Sequence, residues 1–250
     1  MKRSQILVAA AAILASGACN AEKAGDATAT AAGAPAAAVK PPANGDWSQV
    51  VAATPAGGFM MGNPNASVKL VEYGSMTCPH CREFEETGMK PLLDKYVKSG
   101  RVSFEFRNYV RDPFDLAAAL VARCNGPKGF FPLSRAMFKD QPNWVARLRT
   151  VAPEQQQAMA SLPPSQQFVA FAKLAGFQQW AAQRGLPSAK SNACLSNETE
   201  INRLVQMTGD ANSQFPQFPG TPAFTINGKL VENAPAWAPL EPKLREALGS

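Results

Sequence analysis

The chain changes its hydrophobic period twice, and this order of elements restricts its fold more than any other feature. Val68-Lys69-Leu70-Val71-Glu72-Tyr73 follows the turn signal Asn63-Pro64-Asn65, ends at Gly74-Ser75, and is short and apolar enough for a central strand. Pro79 to Lys98 reads as a helix with proline at its first position and Phe84, Leu92, Leu93, Tyr96 and Val97 as its apolar residues, kinked at Pro91. Arg101 to Arg107 then alternates with period two. Strand, helix and strand make a βαβ unit, so the fold class is α/β. From Asp115 to about Thr208 the spacing is helical, most clearly over 117–124, 133–138, 166–175 and 201–207. Strand character returns at Pro222-Ala223-Phe224-Thr225-Ile226, turns at Asn227-Gly228 and resumes at Lys229-Leu230-Val231, a hairpin signal. A last helix is expected from Leu240 to Leu248, and no internal repeat is present.

The first residues bear on the compartment. Lys2 and Arg3 precede an apolar stretch from Ile6 to Leu14 and then small residues, the pattern of a cleavable export signal over 1–18. No later segment approaches the roughly 20 apolar residues of a membrane-spanning helix. Ser16-Gly17-Ala18-Cys19 resembles the acceptor site of a bacterial lipoprotein signal, which makes Cys19 the lipidation candidate. Ser16 stands where such signals usually carry Leu, and plain secretory cleavage nearby is the alternative. Residues 19–46 are Ala-rich with scattered Gly, Thr and Pro, too poor in bulky apolar residues to order themselves, and read as a flexible tether. Folded structure is expected from Trp47. The 25 Lys and Arg against 19 Asp and Glu give a net charge of +6. No basic run with interleaved aromatics accompanies it, which argues against a dedicated nucleic-acid binder.

The chemistry concentrates at Cys78-Pro79-His80-Cys81. Two cysteines three apart in a first helical turn share a face and can close a small disulfide. The helix N-terminus offers unpaired N–H groups and the positive end of its dipole, which favour a thiolate on Cys78. His80, the chain's one histidine, is placed to support the same sulfur. Cys78 is therefore the expected exposed nucleophile and Cys81 its shielded partner. A stabilised thiolate leaves easily, which favours the reduced pair and makes the oxidised pair an oxidant.

The segment Glu72 to Phe84, with its Cys-Pro-His-Cys, resembles the active-site segment of DsbA-like thioredoxin-fold oxidoreductases, and Gly220-Thr221-Pro222-Ala223-Phe224 resembles that family's cis-proline loop. The likeness extends from Ala66 to Leu248 and implies a thioredoxin fold with an inserted helical domain. The corresponding division is 47–114 and 209–250 for the thioredoxin parts, with the insertion over 115–208. By resemblance, Pro222 is cis and faces the cysteine pair, and the Thr221 backbone is available to an extended substrate peptide. Glu72 matches a buried acidic position that relays the Cys81 proton, with an ordinary strand-end carboxylate as the alternative. Glu85 matches a second acidic position but reads as a solvated helix residue. The implied function is oxidation of reduced, unfolded exported proteins in the periplasm, with a quinone-coupled, DsbB-like membrane oxidase as reoxidant and no cofactor. The Gly-Ser-Met-Thr before Cys78 departs from the aromatic-rich version of some members.

Cys124, at a helix end, and Cys194, in a loop, are expected to form a structural disulfide, as two spare cysteines in an exported protein invite. Two buried free thiols are the alternative. Zinc held by Cys78, Cys81, Cys124 and Cys194 is disfavoured, because structural zinc sites bring a second closely spaced ligand pair. A reductase or isomerase usually adds a dimerisation module, which the tether is too poor in bulky apolar residues to supply, so a monomeric oxidase is preferred. A non-catalytic peptide-binding module is a third reading. Trp144, Phe168, Phe171 and Trp180 are read as core.

Overall fold

The computed structural model describes residues 40–249. The export signal, Cys19 and the greater part of the tether lie outside them. None of the helices among the described residues is long and apolar enough to cross a membrane.

Among the described residues six strands form one mixed sheet: β1 (Val51–Ala53), β2 (Phe59–Gly62), β3 (Val68–Gly74), β4 (Val102–Asn108), β5 (Ala223–Ile226) and β6 (Lys229–Leu230), in the order β1-β2-β4-β3-β5-β6. β3 is central, parallel to β4 with Glu72 opposite Phe106, and antiparallel to β5 with Tyr73 opposite Ala223. Its buried run matches the near-continuous apolar strand expected where both faces are covered. The β1–β2 hairpin went unread in the sequence, because its strands are short, built from Ala, Met and Gly around one Val and one Phe, and carry neither β-branched runs nor clear alternation.

After β3 the chain forms α1 (Pro79–Thr87) and α2 (Met89–Leu92), which continues as a π turn over Leu93–Val97. The break between them falls at Gly88, not at Pro91 itself. Pro91 has no N–H for the Thr87 carbonyl and its ring crowds that group, so the fault appears one turn earlier. The helical block follows as α3 (Pro113–Arg123), α4 (Gly126–Lys139), α5 (Gln141–Leu148), α6 (Pro153–Ala160), α7 (Pro164–Ala175), α8 (Phe177–Ala182), α9 (Ser188–Leu195) and α10 (Glu198–Gln214). Asp112 caps α3, accepting from the Phe114 and Asp115 N–H groups, with Pro113 at the first position. From Phe114 to Arg123 every residue of α3 is buried, and α3 packs against α4, α7, α8, α9 and α10. A helix apolar on nearly all sides belongs at the centre of such a block. α11 (Trp237–Ala247) closes the chain.

The block shares one core with the sheet rather than owning a separate one: Phe59, Phe104 and Phe106 of the strands meet Phe130, Phe131 and Phe138 of α4. α10 runs straight through position 208, where the sequence placed a boundary, because its later half covers the opposite sheet face at Val71, Tyr73 and Ala223. Arg123 ties block to sheet. It is buried, stacks over Phe59 at 4.4 Å, and donates to Glu200 (2.6 Å), Asn108 (3.1 Å) and the Gly57 carbonyl (2.8 Å).

Candidate active site

The central strand β3 ends just before the N-terminus of α1, and the Cys-Pro-His-Cys motif occupies that junction. Cys78 is the N-cap of α1 with extended backbone (φ −81°, ψ 122°), and Pro79 starts the helix. Both cysteines are free thiols. The Tyr73–Ala223 pairing carries the Thr221-Pro222 loop, a cis peptide, alongside this junction, and the Phe84–Phe224 contact at 4.6 Å locks α1 to β5. The Cys78 thiol donates to the Thr221 carbonyl at 3.1 Å.

That loop corrects the expectation of an exposed nucleophile. Cys78 is 2% exposed and Cys81 1%, so neither sulfur stands open to solvent, with Cys78 in the shallower surroundings of the two. They differ in electrostatics. Cys78 is lowered to about 5, chiefly because the Cys81 thiol donates to its sulfur, opposed by burial, and helped by the Thr221 side chain and the backbone N–H groups of Cys81 and His80. Cys81 moves the other way, well above a normal thiol, through burial first, then its bond to Cys78 and the charge of Glu72.

The His80 ring does not serve the sulfur. It lies on the exposed flank with Nδ1 3.4 Å from Glu83 Oε2, one turn on, and His80 acts on Cys78 through its backbone N–H. Glu72 is buried on the β3 face that carries Val68 and Leu70 beneath α1. Burial, followed by the charges of Glu85 and Cys78, raises its carboxyl well above the usual range. Glu85, read as solvated, is instead half-buried and receives Arg135 Nε at 2.7 Å across α1 and α4; burial raises it while Arg135 opposes.

Several residues at the site escaped the sequence reading. Asp115, in the first turn of α3, is buried and accepts from Ser75 Oγ (2.6 Å), Met76 N (2.8 Å) and Arg111 N (2.9 Å). Ser75 N in turn points at Cys81 Sγ (3.4 Å), and Thr77 Oγ1 donates to Asp112 (3.2 Å). Gln141, buried at the start of α5, donates from Nε2 to the carbonyls of Met76 (2.8 Å) and Cys78 (2.9 Å). The helical block therefore holds the active-site loop by three side chains, Asp112, Asp115 and Gln141. Burial raises Asp115 to about 7 in spite of its three donors. The one available signal was a lone acid inside the apolar run Pro-Phe-Asp-Leu-Ala-Ala-Ala.

Cys124 and Cys194 are bonded, with Cα atoms 5.6 Å apart, and Cys194 sits on α9 rather than in a loop. Paired with each other, they are not available as zinc ligands beside Cys78. Trp144, Phe168, Phe171 and Trp180 are buried, as core residues should be.

A family model described as thioredoxin matches residues 54–244. The chain belongs to the thioredoxin family, in its DsbA-like thiol-disulfide oxidoreductase branch. A DsbA-like structure of this kind is similar to a protein-disulfide isomerase from Novosphingobium aromaticivorans, 34% identical with TM-score 0.73, covering 76% of this chain and 97% of the other. It shares its fold with Wolbachia pipientis alpha-DsbA1, 20% identical with TM-score 0.61, covering 76% and 90%. A Rickettsia prowazekii protein assigned as a protein-disulfide oxidoreductase is 26% identical over 176 residues, which are 70% of this chain. The DsbA-like chain spans 56% of the length of that relative.

Proposed function

We propose that the chain is an exported protein oxidant that introduces disulfides by dithiol–disulfide exchange at Cys78 and Cys81. The observation that carries this reading is the split between the two thiols, Cys78 lowered to about 5 and Cys81 raised well above normal. In the oxidised enzyme a substrate thiolate attacks Cys78 Sγ, forming a mixed disulfide and expelling Cys81 as a thiolate. Cys81 takes a proton at once, with Glu72, whose own proton is held firmly by burial, as the nearby relay. A second substrate thiolate then attacks the substrate sulfur of the mixed disulfide and expels Cys78. The substrate leaves with a disulfide, and two electrons stay on the enzyme. The last step is favoured because Cys78 is a good leaving group. Ionisation of Cys78 also gives up its bond to the Thr221 carbonyl, which frees that edge for an extended substrate peptide, and cis Pro222 beside it supplies the facing wall.

The substrates in this reading are reduced, unfolded exported proteins in the periplasm, and the reoxidant is a quinone-coupled, DsbB-like membrane oxidase. The likeness to a protein-disulfide isomerase keeps a second reading, isomerisation or reduction, with the same cysteines held reduced. Refolding a reduced, unfolded disulfide protein with the oxidised chain separates them: the oxidant forms disulfides in one stoichiometric burst. Failure to oxidise, with rescue of scrambled disulfides instead, supports isomerisation. Cys78→Ser abolishes either activity.

A further inference from the structure

A groove of about 660 Å³ opens beside the active-site loop on the side of the helical block. Its floor is apolar, formed by Phe114, Leu148 and Phe171, and it begins at Thr77, the residue before Cys78. A smaller hollow of about 260 Å³ shares Thr77, Val145 and Arg149 with it and continues past Pro79 and Arg82. Together they make one trough running past the reacting cysteine.

The charge along this trough is predominantly positive, with Arg82, Arg111 and Arg149 against Asp112. Arg111 and Arg149 are exposed on its rim, and neither guanidinium has a hydrogen bond or ion pair among the described residues. Arg82 bonds Glu86 through Nη1, while its buried Nε has no partner. Asp112 is the one carboxylate among the lining residues, and it is spent on Thr77 Oγ1 and the Phe114 and Asp115 N–H groups. Two free guanidiniums over an apolar floor complement a segment with carboxylates beside an apolar side chain.

We propose that this trough docks an acidic, partly apolar segment of the polypeptide whose cysteine exchanges with Cys78, with Arg111 and Arg149 as the specificity-determining residues. The role in exchange rests on the function proposed above; the affinity for acidic peptide does not. Rim charges act mainly on encounter and selectivity, and each exposed pair contributes only a modest factor.

The test uses the full-length protein and two fluorescent peptides with Ser in place of the reacting Cys. One carries Asp and Glu around an apolar residue, and the other carries Gln at those places. The acidic peptide is expected to bind about five-fold tighter at low salt. Arg111→Gln with Arg149→Gln should bring the two peptides within about two-fold, while Arg111→Lys with Arg149→Lys keeps most of the preference. Equal binding of the two peptides to the unaltered chain, or a preference that survives the double Gln change, overturns the proposal. Cys-containing versions of the same peptides then report on exchange alone. If they are not oxidised while the binding preference stands, the exchange reading falls and the acidic-peptide groove remains.

Discussion

At the scale of residues, the decisive quantity is the charge on Cys78. Its folded value of about 5 lies below the roughly 8.5 of an unfolded thiol, so ionisation stabilises the folded, reduced protein. That contribution is complete above the unfolded value and is lost as pH falls through about 5. Between pH 7 and 4 the reduced protein should lose ~2–3 kcal/mol relative to reduced Cys78→Ser, measured by urea unfolding. A flat difference would contradict the thiolate. Asp115 makes a second case. Asp115→Ala strands the Ser75 hydroxyl and the Met76 and Arg111 N–H groups and should cost ~2–4 kcal/mol, while shifting the Cys78 thiolate absorbance titration. Asp115→Asn, which keeps acceptor oxygen, should cost less. Cys78, Cys81 and Pro222 were legible in the sequence because spacing along the chain, or a proline in a recognisable loop, marks them. Asp115 and Gln141 were not, because their partners lie 39 and 65 residues away and are met only through packing.

At the scale of elements, the βαβ unit, the Asn-Gly hairpin and the buried helix α3 were readable, since period and turn chemistry act locally. The β1–β2 hairpin was not, because its strands owe their state to pairing with each other and with β4. The π turn after α2 likewise has no local signature. Gly74 shows how tightly the site's strand is packed: a Cβ there would fall 2.5 Å from the Phe106 ring and 3.0 Å from Glu72 Oε1. Gly74→Ala should destabilise by ~1–3 kcal/mol and shift the Cys78 titration, because strand β3 has to move relative to β4 and displace the buried carboxylate. Unchanged stability and an unchanged titration would contradict this packing.

At the scale of the whole molecule, the helical block is part of the catalytic apparatus. It shares the sheet's core, and through Asp112, Asp115 and Gln141 it fixes the loop that presents Cys78. The Cys124–Cys194 disulfide closes a stretch of 70 residues within the block, and its removal as Cys124→Ser with Cys194→Ser should cost ~2–4 kcal/mol in thermal or urea unfolding. Oxidation of substrate at room temperature should survive, since the two sulfurs bond only within the helical block, to each other and near Lys190, among the described residues. The central claim is that the site is built to give up its disulfide. At pH 7 the Cys78 shift alone makes the pair ~50–60 mV more oxidising than one with an unperturbed thiol. Equilibration of the Cys78–Cys81 pair with glutathione tests this directly: the account predicts a potential above about −200 mV, and a value near about −270 mV, that of a thioredoxin-type reductant, would contradict it.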